Sequence, residues 1–467
     1  MRPFGAFLYV FFILSGFLVV LFILGETGLL KGGQYQFNKE TAGNKEEIIV
    51  SDSITNPIFD SLKTEVLDTL NAQVPDSIRQ NNISGKSGEC GLQFPSGDLA
   101  VLNPFFEKLK NPDSSQSPLR ILYFGDSQIE GDRITSTIRR QFQQKFGGAG
   151  IGLIAPDLLY NLTHSFSVER SENWSIINFT DLNDSLKNRS LVFKSAVLPS
   201  GKEGWFKIRQ IRNKENKNDY LKLRTVYSSP GDFDVIVKSE GKIIYTEKVD
   251  KTASVSTLDF NFNFTPPSVE LYFQSTDSLE ISAFLLETRS GIHVDNIALR
   301  GLSFPPFSKS DEQAMEETAK LINPGLCVLH YGVNIAPQIL GNFNNYRTRL
   351  IREIKKMQQL FPGVPVLIVG ISDMAKKENG QMISYPNIKA IRDVQFEAAQ
   401  ICNCVFWDLE KFMGGPGSMT AWVNGSPRLG QKDYVHFTPE GTEKIGNRLS
   451  ELILAEYEKY LQTKVSE

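Results

Sequence analysis

Cysteine and histidine are both scarce in this chain, with four of each among 467 residues. The cysteines, Cys90, Cys327, Cys402 and Cys404, form no C-x-x-C pair, and so few in so long a chain exclude a disulfide framework. They read as buried free thiols. The histidines, His164, His293, His330 and His436, include no pair at metal-ligand spacing, so neither a catalytic metal nor any cofactor is expected. His293 and His330 fall in or at the ends of apolar strands and read as satisfied core residues. An excess of one charge sign is also missing. Fifty Lys and Arg against 53 Asp and Glu leave a formal charge of −3, and without a clustered basic surface nucleic acid is not an expected partner.

Long apolar runs are absent apart from one. Residues 4–25 hold no charged side chain and are dense in Phe, Leu, Val and Ile. About 20 apolar residues suffice to cross a bilayer as a helix. A secretory signal has a shorter apolar core and a small-x-small cleavage site; no such site is evident, and a cleaved signal is kept as the alternative. Arg2 and the amino terminus precede the run, so the positive-inside tendency puts the N-terminus in the cytoplasm and the tethered remainder outside it.

What is present is enough for two folded units and some extras. Hydrophobic residues make up 41% and aromatics 11%, including 32 Phe, which argues against global disorder. After an anchor over residues 1–30, residues 31–117 read as a polar stalk and lead-in. Ile58, Leu62, Val66, Leu67 and Leu70 have helical spacing within it, and a second short helix is predicted over 102–109. The run 119–124 has the texture of a buried parallel strand, and 134–146 that of a helix ended by Gly147-Gly148-Ala149-Gly150. Between 161 and 287 the pattern changes to short alternating runs separated by Gly, Pro, Asn and Asp, an antiparallel β-domain of sandwich type. Strands over 294–299, 326–330, 364–370 and 405–409 then alternate with helices over 312–322, 346–360, 388–402 and 439–460. Thr438 is a good N-cap ahead of Pro439. The plan is a doubly wound α/β domain, 118–160 and 288–467, with the all-β unit 161–287 inserted into it.

Three short stretches carry chemistry. Gly125-Asp126-Ser127-Gln128 and Tyr331-Gly332-Val333-Asn334 each follow an apolar strand, so both fall on the carboxyl rim where open α/β sheets place their sites. Asp433-Tyr434-Val435-His436 precedes the last helix. A serine hydroxyl needs an adjacent base. His436 can take the proton of Ser127, and Asp433 can hold the imidazole in the right tautomer. The tetrahedral intermediate needs donors, for which the backbone N–H groups of Ser127 and Gly301 and the Asn334 amide are candidates. Gly291 is the rival of Gly301. Asp132-Arg133 reads as a local ion pair or cap. Trp174, Trp205, Tyr220 and Tyr227 are candidates for stacking sugars, with a place in the β-domain core as the alternative.

Together these stretches resemble the sequence blocks of the SGNH (GDSL-type) hydrolases over about 118–160 and 288–460. Ser127 matches the first block, Gly301 the second, Asn334 the third, and Asp433 with His436 the fifth. A closer resemblance is to periplasmic peptidoglycan O-acetylesterases of that superfamily, which carry a carbohydrate-binding-like β-sandwich between their first and second blocks. The runs 125–132 and 146–152 also look like that group. The resemblance implies a flavodoxin-like parallel sheet with an inserted all-β sandwich, tethered by one transmembrane helix to a bacterial inner membrane, with the catalytic domain in the periplasm. Two positions depart from the pattern: Ile335 stands where Asp often follows the block Asn, and Gln128 replaces the usual Leu or His. Gln128, Trp174 and Trp205 are taken as additional substrate contacts.

Three functions are compatible with these residues. One is an esterase removing O-acetyl groups from an acetylated polysaccharide, peptidoglycan first, through an acetyl-Ser127 intermediate. A second is an O-acetyltransferase fed by a membrane-bound O-acyltransferase partner. A third is a non-catalytic glycan-binding protein with a relic site.

Overall fold

The first strand of the α/β domain, β1 (Leu119–Gly125), is buried at every position. Its side chains alternate, as extended backbone requires. Leu122 and Phe124 enter one hydrophobic core, and Leu119, Ile121 and Tyr123 enter another. A strand apolar on both faces needs helices on both, which makes this a three-layer unit. The structure is a computed structural model that describes residues 90–112, 117–158, 163, 165–181, 187–211 and 219–466. The expected membrane span over 4–25, the stalk helix over 58–70 and His164 lie outside the described residues. Among the described residues no helix is long and apolar enough to cross a membrane.

In chain order the elements are α1 (Asn103–Lys110), β1, α2 (Thr135–Phe146), then β2 (Gly152–Ile154), β3 (Phe166–Arg170), β4 (Ser175–Asn178), β5 (Lys194–Leu198), β6 (Glu203–Gln210), β7 (Lys222–Ser229), β8 (Phe233–Ser239), β9 (Lys242–Val249), β10 (Thr252–Asn261), β11 (Ser268–Ser275) and β12 (Leu279–Glu287). They continue with β13 (Ile292–Ala298), α3 (Glu312–Ile322), β14 (Pro324–His330), α4 (Asn344–Leu360), β15 (Val366–Val369), β16 (Ala375–Glu378), β17 (Gln381–Ser384), α5 (Ile388–Ile401), β18 (Val405–Trp407), α6 (Leu409–Met413), α7 (Ser418–Asn424) and α8 (Pro439–Ser466). The sheet order β13-β1-β14-β15-β18 is wholly parallel. Counted along the α/β domain alone this is 2-1-3-4-5, the flavodoxin-like order, whose switch point lies between the first and third strands. Helices α3, α4 and α5 cover one face through Met315, Leu350, Ile354 and Ile391. The other face is covered by α2 and α8 through Ile138, Phe142, Ile445 and Leu449.

The β-unit is a sandwich of two antiparallel sheets, β10-β7-β12-β5-β4 and β3-β6-β11-β8-β9, around a core of its own. It begins earlier than the boundary at 160/161 that the sequence suggested, because β2 pairs with β12. Turn residues around Pro156 hide that strand, which is only three residues long. The hairpin β16–β17 and the short helices α6 and α7 were also not foreseen. All three are brief and have little periodicity to read. The four cysteines are free thiols, three of them buried and Cys90 half-buried.

Where the sandwich joins the sheet, a cluster of charges is sealed from water. Arg120 on β1, Asp295 on β13 and Glu287 on β12 are all 0% exposed. Arg120 holds Asp295 at 3.0 and 3.1 Å and also bonds Glu287. Leu153 N–H on β2 donates to the same Asp295 carboxylate at 2.8 Å. One guanidinium thus ties the first sheet strand to β13 and to the last strand of the insert, and Asp295 in turn holds the first strand of the insert. Removing one partner of a buried ion pair strands the others without compensation, at a cost of about 3–5 kcal/mol. Arg120→Ala is therefore expected to lower the unfolding free energy by about that amount, read as a fall in the urea midpoint.

Candidate active site

Ser127 follows β1 and Asn334 follows β14, so both loops open at the switch point of the sheet. The end of β1 lies against β14 so closely that a Cβ on Gly125 would stand 2.9 Å from the His330 carbonyl oxygen. Asp126 then turns the chain: its Oδ1 accepts the Gln128 N–H at 3.0 Å, the local bond that makes Asp a turn residue. Arg133 Nη2 fixes the loop from outside by donating to the Ser127 carbonyl at 2.8 Å.

The His436 loop is shaped by the same kind of bond. Asp433 Oδ1 accepts the N–H groups of Val435 and His436, each at 3.0 Å. Tyr434 between them sits at φ 60°, an unfavourable left-handed conformation for a bulky residue. That bend turns the imidazole back onto its own carboxylate, with His436 Nδ1 2.7 Å from Asp433 Oδ2. Burial opposes ionisation of Asp433. It is outweighed by the hydrogen bonds from the His436 ring and from the backbone of His436 and Val435, which hold the carboxyl well below the usual range. An ionised carboxylate only accepts, so Nδ1 carries the proton and Nε2 presents its lone pair. Nε2 lies 2.8 Å from Ser127 Oγ. The geometry is that of a serine nucleophile, its base and the base's orienter.

Asn334 is half-buried, and its amide donates to the Leu302 carbonyl at 2.8 Å and, at 3.4 Å, to Asp126 Oδ2. Gly301, next to Leu302, occupies an exposed turn at φ 81° with open space beside its Cα. The loops carrying Gly301 and Asn334 are therefore in contact on the Ser127 rim.

Gln128 is not placed to meet substrate. It is 1% exposed, and every polar atom of its amide is used. Nε2 donates to Ser372 Oγ at 2.8 Å and to the Val435 carbonyl at 3.1 Å, and Oε1 faces His330 Nε2 at 3.1 Å. His330 in turn meets the Tyr123 hydroxyl at 3.0 Å, and burial pushes its pKa down to about 3. The ring is thus neutral, donating from Nε2 and accepting at Nδ1. His293 is buried as expected but not satisfied: neither ring nitrogen has a hydrogen-bond partner among the described residues. Asp132 pairs with Arg139 at 2.8 Å, not with its neighbour Arg133. At φ 65° its side chain turns inward to α2, where it is 1% exposed.

Trp174 is no stacking face either. It is 3% exposed and packs on Phe206 at 4.6 Å between ring centroids. Tyr220 and Tyr227 are also buried, whereas Trp205 stands half-buried on the outward face of β6. Sequence reasoning missed Asp126, Arg133, His330 and Ser372 as supports. The signal for Asp126 was its place beside Ser127, whereas Ser372 left no local signal.

A cleft of about 820 Å³ opens beside the triad, lined by Glu130, Arg133, Arg140, Arg300, Asp433 and His436. A hollow of similar size, about 890 Å³, is lined by Lys108, Lys222, Arg224 and Pro324. Pro324 begins β14, so that hollow lies at the opposite end of the strand from the site and has no part in its chemistry.

A flavodoxin-like sheet bearing a Ser–His–Asp triad at its switch point and interrupted by a β-sandwich is the architecture that the SGNH resemblance implied. Among solved structures the chain is similar to a peptidoglycan O-acetylesterase, with a TM-score of 0.61 at 20% identity over 79% of this chain and 99% of that one. At that identity the likeness is one of fold. A family two carbohydrate esterase from Cellvibrio japonicus aligns at a TM-score of 0.24 and 9% identity, over 63% of this chain and 99% of that one. A family 29 carbohydrate-binding module aligns at 0.21 and 12% identity, over 31% of this chain and 92% of that one. Scores this low add nothing to the comparison. No family profile matches the chain, and no curated protein matches its sequence.

Asp126 generates a test of the site's electrostatics. Its carboxyl is fully buried, and desolvation pushes its pKa up to about 7 against the hydrogen bonds from Gln128 and Gly332 N–H. Tyr123, Tyr331 and Tyr346 are titratable groups that feel its charge. A raised carboxyl pKa favours the folded state fully below the unfolded value, and that contribution is lost as pH climbs to about 7. Between pH 4 and 7 the wild type should therefore lose stability relative to Asp126→Asn, at up to about 1.4 kcal/mol per pH unit, with no further change above. Urea denaturation of both proteins at pH 4, 5.5, 7 and 8 measures this.

Proposed function

We propose that this chain is a serine esterase that removes O-acetyl groups from an extracytoplasmic polysaccharide, peptidoglycan being the first candidate. The observation that supports it is the unbroken chain from Ser127 Oγ through His436 to Asp433, at 2.8 and 2.7 Å. The fold shared with a solved peptidoglycan O-acetylesterase supports the choice of substrate. The uncharged run over residues 4–25 supports a membrane tether with the esterase domain outside the cytoplasm.

In this reading Ser127 Oγ attacks the acetyl carbonyl while His436 Nε2 takes its proton. The imidazolium is stabilised by Asp433, which is already ionised and already hydrogen-bonded to Nδ1. The oxyanion is met by the Ser127 and Gly301 N–H groups and by the Asn334 amide, whose long contact with Asp126 leaves one hydrogen weakly held. His436 then protonates the departing sugar oxygen. Water attacks the acetyl-Ser127 carbonyl with His436 as base, and acetate leaves as Ser127 recovers its proton. Transfer to a sugar hydroxyl instead of water would use the same first half.

The purified chain is expected to release acetate from O-acetylated peptidoglycan. Ser127→Ala should lower that rate roughly 10³-fold or more, and His436→Ala on the order of 10²–10⁴-fold. Acetate release unaffected by Ser127→Ala would end the esterase reading. Ser127-dependent turnover of 4-nitrophenyl acetate without acetate release from peptidoglycan would shift it to another acceptor or polysaccharide. Gln128→Leu, which keeps the volume but drops the amide, should cut kcat on 4-nitrophenyl acetate about tenfold (~1.4 kcal/mol) while leaving KM nearly unchanged.

A further inference from the structure

Along β6, β11 and β8 the inward positions are mostly apolar, with Phe206, Ile208, Leu271, Phe273, Val235 and Val237 in the sandwich core. The outward positions are polar, except for one residue on each strand. Those three residues are directly opposite one another: Tyr272 pairs with Trp205 on one side and with Ile236 on the other. The outward row on one side of them is charged, Lys207–Glu270–Lys238, and the row on the other side is Glu203–Gln274–Asp234. Single apolar residues on a polar face are ordinary. A register-matched strip of two aromatics and an isoleucine between two polar rows is different, and it borders a hollow of about 440 Å³.

We propose that this strip is a polysaccharide-binding site in which pyranose rings stack on Trp205 and Tyr272 and the flanking rows bond their hydroxyls. Pyranose rings have apolar C–H faces and polar edges, and Trp and Tyr suit sites that are apolar on one side and wet on the other. The charged side chains lining the hollow are Glu203, Asp234 and Lys238. They are of both signs and form no cationic cluster for a row of phosphates, so the polar contacts they offer are to hydroxyls and amides along the edge of a sugar chain. Tyr272 is fixed in advance, its hydroxyl donating to Glu270 at 2.9 Å while Lys238 Nζ stands 4.2 Å from its ring centroid. Glu270 is itself held by Lys207 at 2.7 Å. A pre-set platform loses little entropy on binding. The site is on the outer sheet of the sandwich and the triad on the rim of the parallel sheet, so it would retain polymer and raise its effective concentration without touching the chemistry.

The inference rests on a polysaccharide substrate but has a readout of its own. Trp174, Trp407 and Trp422 are 3%, 0% and 7% exposed, which leaves Trp205 as the tryptophan that a surface ligand can reach. Adding peptidoglycan glycan strands to the full chain should shift tryptophan emission to the blue, and Trp205→Phe should remove the shift. Trp205→Ala and Tyr272→Ala should each weaken strand binding about tenfold, with turnover of 4-nitrophenyl acetate unchanged as proof of an intact fold. If either alanine variant is unfolded, Trp205→Phe decides through the fluorescence change. Full-strength binding in the substituted proteins, or no binding by the wild type, overturns the proposal. Trp205-dependent binding without acetate release would leave the platform standing and remove the esterase reading, so the two can fail separately.

Discussion

The side-chain amide of Gln128 is shared by three elements that the chain places far apart. It bonds His330 at the end of β14, Ser372 after β15 and the Val435 carbonyl beside His436. Ser127 precedes it by one residue and His436 follows Val435 by one, so the 2.8 Å contact between nucleophile and base is set from beneath by a group that touches neither. A fully bonded buried amide has no alternative arrangement of similar energy, because any slip leaves a donor or acceptor unpaired at a cost of about 1–3 kcal/mol. The neutrality of His330 belongs to the same network. Its Nε2–H is what the Gln128 oxygen needs, and a protonated ring would have no acceptor for Tyr123.

The price of this order is concentrated around the site. Tyr434 and Asp132 hold positive φ, and Asp126 is a carboxyl without solvent. Each is unfavourable alone, and each is over-determined by its surroundings. Asp132 is gripped by Arg139, Thr135 and Ser165. Tyr434 is spanned by its neighbours' bonds to Asp433. Strain of this kind persists where the packing on both sides of a sheet is strong enough to hold it, and here every position of β1 and β14 is buried.

The α/β domain was legible because each of its elements repeats a period. Helix α3 runs over 312–322 as its apolar spacing predicts, and strands β1 and β14 stand where the continuous apolar runs lie. Thr438 caps α8 through the Gly441 N–H. The residues Ser127, Asn334, Asp433 and His436 were legible as types at turn positions, and the structure brings Ser127, Asp433 and His436 into one hydrogen-bonded line. Tertiary partnership was not legible. Whether a tryptophan in an alternating strand points in or out depends on a phase that one bulge can shift. Trp174 lies in the loop before β4, so no alternation reaches it at all. Gln128 reads as a substrate contact where it replaces the usual Leu or His of the block, and only the depth of the loop shows that it points the other way.

Inserting a sandwich between the first two strands of a parallel sheet should threaten the alignment of those strands, and the neck of the insertion shows why it does not. The chain leaving at Gly147–Gly150 and the chain returning at 288–292 run against each other: Ile292 N–H donates to the Gly147 carbonyl, and Thr288 and Ala149 exchange bonds through backbone and hydroxyl. A Cβ on Gly291 would stand 2.3 Å from Gly148 N, so this approach requires glycine. The glycine run that ends α2 in the sequence therefore has a second duty, closing the neck. With the neck bonded backbone to backbone and Arg120 sealing the charges beneath it, β13 enters the sheet in register with β1 from Leu119–Ile292 to Gly125–Ala298. The turn bearing Gly301 follows directly. The insert is thereby tied to the sheet whose rim carries Ser127, and a glycan held on its outer face would be held at a fixed orientation to that serine.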